Sequence, residues 1–238
     1  MTLTPVKTPI LVKRMFPNYI WNIPTTSKTI YLTFDDGPTS EITNWTLNIL
    51  KQYNAKATFF CIGNNVEKYP NIFQNIINEG HAIGNHTQNH IKGWKTKTKD
   101  YLKDIFKAEN TINSEIPNSK FQIPKKTHQQ TTNKKSQDCQ LLTDDCLLFR
   151  PPYGQIKPKQ GKKLIGLGYK IIMWDVLSFD WDKTVSPETC LNNVISKTTN
   201  GSIIVFHDSI KASKNMQYAL PKVLEYFSGK GYGFKCLS

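Results

Sequence analysis

Apolar and β-branched residues gather in short blocks separated by longer amphipathic stretches. Thr29 to Phe34, Ala57 to Ile62, His81 to Asn85, Tyr169 to Val176, Ile203 to His207 and Tyr232 to Cys236 read as strands. Residues 41 to 53, 65 to 79, 97 to 116, 187 to 198 and 215 to 228 read as the helices between them. This alternation predicts an α/β fold with a largely parallel sheet or barrel. With 238 residues and 38% apolar content the chain can build one substantial core, so a single domain is expected. Residues 1 to 27, with Trp21 and several prolines, have no strong period and are expected to pack as an extended arm on a barrel that occupies 28 to 238. Asn118 to Cys146 breaks the alternation with a polar surface insertion rich in lysine and glutamine, leading into the strand before Arg150. No internal repeat is present.

Candidate chemistry sits where the strands end. Asp35-Asp36-Gly37-Pro38 follows the first strand and delivers two carboxylates to its end. His86 and His90, four residues apart, fall on one face of a helical turn and can share one cation. Asp36 completes a three-ligand set, and two His with one carboxylate plus an open position for water is a common catalytic zinc arrangement. The same trio holds ferrous iron in oxygenases, but the adjacent Asp35 favours hydrolysis. A hydrolase needs a base for water whose pKa the metal lowers from about 15.7 to roughly 7, and Asp35 is the candidate.

His207, closing the strand that starts at Ser202, is the candidate acid, with an intrinsic pKa of about 6.5. The structural alternative for it is a buried histidine bonded to Asp208. In Leu147-Leu148-Phe149-Arg150-Pro151-Pro152-Tyr153-Gly154 a strand again ends in a charged residue and a rigid turn. Arg150 can hold and aim Asp35 through a bidentate contact. The backbone N–H of Tyr153 can meet the oxyanion of a tetrahedral intermediate, a donor whose loss typically costs about 2.7–4 kcal/mol.

Taken in order, Thr33-Phe34-Asp35-Asp36-Gly37, His86-Thr87-Gln88-Asn89-His90, Arg150-Pro151-Pro152-Tyr153 and Phe206-His207-Asp208 resemble the polysaccharide deacetylase family, also called carbohydrate esterase family 4 or the NodB homology domain. The resemblance spans roughly residues 28 to 236. It implies a distorted (β/α) barrel of about seven parallel strands and metal-assisted removal of acetyl groups, chiefly N-acetyl, from amino sugars of the chitooligosaccharide or peptidoglycan type. By motif, Asp35 is the base, Asp36, His86 and His90 hold one divalent metal (zinc first, cobalt or nickel also suited), His207 is the acid and Arg150 orients Asp35. The chain departs from the pattern at Leu177, where an aspartate supporting the catalytic histidine is expected. That leaves Asp180 and Asp175 as candidates for the role. Val205 replaces a leucine that helps to wall the acetyl methyl pocket. Leu177 and the insertion also motivate a carbohydrate-binding module that has lost catalysis, and a metal-dependent amidase on a non-sugar substrate would use the same residues.

A formal net charge of +13 suggests attraction to acidic surfaces. The lysines are scattered along the chain, which predicts a solvated basic surface and no nucleic-acid partner, with help in finding an anionic wall polymer as the functional alternative. Pro9 to Val12 is too short for the core of a signal peptide, Lys13 and Arg14 follow it, and no apolar run reaches membrane-spanning length. Five cysteines, an odd number, fit reduced thiols, with Cys139 to Cys146 as the one bridge left open. These features predict a cytoplasmic protein, or one exported by a route the sequence does not display. No sequence feature sets the oligomeric state.

Overall fold

The computed structural model of the chain describes residues 5–116 and 147–238. Its strands are β1 (Thr29–Asp35), β2 (Ala57–Cys61), β3 (Ala82–Asn85), β4 (Leu147–Phe149), β5 (Tyr169–Ile171), β6 (Val176–Leu177), β7 (Ile203–His207) and β8 (Gly233–Phe234). Seven of them line up in the order β5-β4-β3-β2-β1-β7-β6, every pair parallel, and β8 pairs with the start of β1. Only four residues separate β5 from β6, and these strands form the two ends of that order. One bent stretch of chain therefore pairs with β4 through its first half and with β7 through its second, which curls the sheet into a distorted barrel.

Alternation along β1 explains why its two faces differ in chemistry. Ile30, Leu32 and Phe34 point outward, where Phe34 stacks between Phe59 of β2 and Phe206 of β7 at centroid distances of 5.0 and 6.2 Å. Thr33 and Asp35 point inward, with Phe60 of β2 and Arg150. Outside the sheet lie α1 (Ile10–Met15), α2 (Ile42–Gln52), α3 (Gly63–Lys68), α4 (Pro70–Asn78), α5 (Thr98–Ser114), α6 (Pro158–Gly166), α7 (Pro187–Lys197) and α8 (Ser213–Gly229). The main core fills the space between the sheet and α2, α4 and α8, and a second cluster of Tyr101, Phe149, Leu164 and Tyr169 sits beneath α5 and α6.

Several expectations change in detail. The helix read over 65 to 79 is two helices, because Pro70 disfavours helical backbone at Tyr69, which adopts φ −129° and ψ 55°. The N-terminal segment is an arm on the barrel, but it is not wholly extended: it contains α1 and then bridges Ile20 to Ile172. Helix α6 was not anticipated from its glycine- and lysine-rich sequence; its buried Gln160 and Leu164 anchor it. Cys61 and Cys190 are buried free thiols, whereas Cys236 is disulfide-bonded, which corrects the reading of uniformly reduced cysteines. The polar insertion, with Cys139 and Cys146, lies outside the described residues. Among the described residues no helix is long and apolar enough to cross a membrane.

Candidate metal centre and active site

The end of β1 is shaped so that its two aspartates diverge. Asp35 ends the strand facing the barrel interior, in register with His207 of β7. Asp36 has a φ of 78°, a left-handed conformation that turns its carboxylate away from Asp35. Gly37 follows because nothing larger fits: a Cβ there would lie 2.0 Å from Oδ2 of Asp208. Asp208 in turn accepts hydrogen bonds from Gly37 N at 3.1 Å and Thr43 Oγ1 at 2.5 Å, fastening the turn to the end of β7. Asp208 is therefore engaged away from His207, and its burial pushes its carboxyl pKa up to about 7.

His86 and His90 meet through a loop, not a helical turn. Thr87 and His90 both take positive φ, 66° and 54°. Side chains fix this shape: Asn85 Oδ1 accepts from Thr87 N at 2.8 Å, and Asp104 Oδ2 accepts from the backbone of Gln88 and Asn89 at 2.9 and 3.1 Å. The Nδ1 of His86 lies 2.8 Å from the carbonyl of Arg150, and since a carbonyl only accepts, Nδ1 carries the proton and Nε2 keeps its lone pair. Burial lowers the His86 pKa to about 4, which holds that ring neutral.

Asp36, His86 and His90 bring one donor atom each within 4.8 Å of one another. Oδ1 of Asp36 is buried without a well-formed hydrogen bond, although His90 Nε2 approaches to 3.2 Å and His86 Nε2 to 3.7 Å. An orphaned carboxylate oxygen facing two imidazoles is costly unless a cation completes it, so these residues fit a divalent metal. Burial would raise the Asp36 carboxyl's pKa, but contact with His90 and the charges of His207, His86 and His90 hold it well below the usual carboxylate range.

Arg150 crosses the barrel interior and is fully buried. Its Nη1 donates to Asp35 Oδ1 and to Thr33 Oγ1, both at 2.7 Å; Nη2 and Nε donate to the carbonyls of Met173 at 2.9 Å and Ile172 at 3.3 Å. The guanidinium also lies over the Phe60 ring, 4.1 Å from its centroid. The expected contact to Asp35 is present, but through one nitrogen, because the rest of the fork is spent on backbone carbonyls that the bend between β5 and β6 leaves without strand partners. Tyr153, with φ 59°, projects beside His90 at a ring separation of 4.6 Å.

Opposite the histidine pair, His207 Nδ1 lies 2.9 Å from Asp180 Oδ1, and Asp180 Oδ2 accepts from the His207 backbone N at 2.7 Å. Asp180 thus supplies the carboxylate that Leu177 lacks. Asp175 does not reach His207; it is bound by Lys7, Lys13 and Ser202 on the arm side of the sheet. Nothing in the sequence ranks Asp180 above Asp175, since the choice depends on how the chain turns after β6. Burial disfavours charge on His207, but Asp180, with Asp36 and Asp35 beyond it, outweighs burial and pushes its pKa up to about 9. The edge of the Trp181 ring system packs on His207 at 4.8 Å.

A profile of the polysaccharide deacetylase family matches residues 22–143. A peptidoglycan-N-acetylglucosamine deacetylase of Bacillus cereus is 35% identical over 223 residues, covering 92% of this chain and 70% of its own length. The chain belongs to the polysaccharide deacetylase family. The crystal structure of the peptidoglycan N-acetylglucosamine deacetylase Bc1960, in complex with a naphthyl N-hydroxybenzamide, superposes with a TM-score of 0.78 at 34% identity, covering 97% of this chain and 95% of that one. The peptidoglycan deacetylase PdaC of Bacillus subtilis gives a TM-score of 0.70 at 27% identity, with 90% of each chain covered. Among polysaccharide deacetylases, then, this one keeps the curled parallel sheet, with Asp35, Asp36, His86, His90, Arg150 and His207 gathered at its strand ends.

Proposed function

We propose that this deacetylase removes N-acetyl groups from amino-sugar units of a peptidoglycan-type glycan, using one divalent cation held by Asp36, His86 and His90. The orphaned Oδ1 of Asp36 between two imidazoles carries the metal reading. Zinc suits two nitrogens and one oxygen best, and cobalt or nickel accept the same donors. Bound there, the cation would polarise the acetyl carbonyl and acidify water.

The remaining roles fall to side chains of this chain. Asp35, with Oδ1 held by Arg150, takes a proton from the attacking water. The water oxygen bonds to the acetyl carbon, and the backbone N–H of Tyr153 faces the developing oxyanion. The C–N bond then breaks, acetate leaves, and the amine nitrogen takes its proton from Nε2 of His207. Asp180 holds the opposite ring nitrogen and favours the charged imidazolium. This pairing answers the part of the motive for a binding module without catalysis that rested on Leu177; the other part, the insertion, lies outside the described residues. The bridge at Cys236 supports an oxidising compartment, where a wall glycan is met, over a cytoplasmic location.

Metal-stripped protein is expected to release no acetate from N-acetylglucosamine oligomers or peptidoglycan fragments, and to recover with one equivalent of zinc or cobalt. Zinc at a hundred times its Kd should also stabilise the fold by about 2.7 kcal/mol, raising Tm by roughly 5–10 °C. Full acetate release by protein shown to be metal-free would sink the proposal.

The pH profile tests His207 separately. Because its pKa is raised, the acid form persists through neutrality and is lost as pH rises through about 9. Asp180→Asn removes the carboxylate that favours the charged ring. The alkaline limb of kcat against pH is expected to move to lower pH by about 1–3 units. An unmoved limb would show that His207 does not supply the proton.

A further inference from the structure

Lysines that look scattered in the sequence are gathered by the fold. Lys99, Lys103 and Lys107 recur every fourth residue, so they share one face of α5 with a rise of about 6 Å per step. Lys159 and Lys163 stand in the same relation on α6, which touches α5. All five are exposed, and together they line an open groove of about 910 Å³, to which Leu102 and Phe106 add apolar surface. None of the five pairs with a carboxylate among the described residues. Of the two carboxylates in the groove, Asp104 is spent on the backbone N–H groups of Gln88 and Asn89, and Asp100 sits in the first turn of α5, where it complements the helix's positive end.

The groove runs up to the loop that carries His90. Asn89 lines it and is the chain neighbour of His90. Beyond His90, the Lys92 ammonium lies 4.5 Å from the Tyr153 ring centroid, and that ring packs against His90. A glycan strand with one acetyl group at the histidine pair therefore has a basic path onward. A neutral strand leaves five lysines repelling one another with nothing gained, whereas a strand bearing regular negative charge neutralises them while its sugar faces meet Leu102 and Phe106.

We propose that the groove between α5 and α6 is an extended subsite for an anionic glycan strand, which makes the substrate class an acidic N-acetylated polymer and not a neutral chitin-like one. This rests on the deacetylase reading above. The test compares native protein with the Lys99→Gln, Lys103→Gln, Lys107→Gln triple variant, in which all three positions are exposed and the α5 core contacts are intact. The probes are a neutral N-acetylglucosamine oligomer and uncrosslinked peptidoglycan strands carrying free peptide carboxylates. On the acidic strands KM is expected to rise about tenfold, with kcat unchanged and the salt dependence flattened, while both constants for the neutral oligomer stay as they are.

Equal effects on both probes, or none on either, would overturn the proposal. Co-sedimentation with insoluble peptidoglycan supplies a readout that needs no turnover. If native protein releases acetate from neither probe, the deacetylase reading has failed, yet retention that falls in the triple variant and in Lys159→Glu, Lys163→Glu still supports the groove. Unchanged retention in both variants overturns it.

Discussion

Asp35→Asn is expected to lower kcat by about 10²–10⁴-fold, the range over which a positioned general base contributes, while leaving metal content close to native; Tm falls as well, because the buried Arg150 cation loses its carboxylate. Asn preserves the shape of the side chain and still offers an oxygen to Nη1 of Arg150, now 2.7 Å from Oδ1, so the hydrogen bond survives the change. What is lost is the negative charge, and with it the ability to accept a proton. The proposed metal donors lie elsewhere, on Asp36, His86 and His90, and the left-handed turn at Asp36 separates the two carboxylates structurally. Kinetics on an N-acetylglucosamine oligomer, paired with metal analysis of the same sample, checks this. A variant with near-native kcat and full metal would remove Asp35 from the reaction.

The largest expected effect on stability comes from Arg150→Met. Methionine fills much of the volume but strands Asp35 in a buried interior without its cation, a change that typically costs about 3–5 kcal/mol. It also deprives the carbonyls of Ile172 and Met173 of their donor at the bend between β5 and β6. For a chain of this size the loss corresponds to a fall in Tm of roughly 10 °C or more. The double variant Asp35→Asn, Arg150→Met should be less destabilised than the sum of the two single changes, because a neutral amide replaces the stranded charge. Thermal unfolding of the four proteins in this cycle checks the prediction, and strict additivity would show that the buried pair is not what Arg150 stabilises.

The strand-end motifs were legible because each couples an apolar run to a turn that cannot continue a strand, so parallel topology alone carries them to one mouth. Residue type also pointed to Asp36, His86 and His90 as a set, and the structure brings their donor atoms within 4.8 Å of one another. Conformation was less legible. The spacing of His86 and His90 suits a helical turn, but Asn85 and Asp104 bind the intervening backbone and impose left-handed residues instead. Asp175 and Asp180 are equivalent on paper. The pairing of β6 with β7 sends one toward Lys7 and Lys13 and brings the other under His207.

Local periodicity and residue type were enough to read the alternation of strands and helices and the family, and to single out the side chains to which the proposed chemistry is assigned. Which side chain meets which was settled by packing. Arg150 is spread over Asp35, Thr33 and two carbonyls because the interior of a curled sheet is narrow enough for one guanidinium to span it. The basic groove exists because α5 and α6, separated in the chain by the insertion, β4 and the turn after it, turn their lysine-bearing faces toward the same space. Contacts of this kind are set by packing over long sequence separations, which local pattern does not encode.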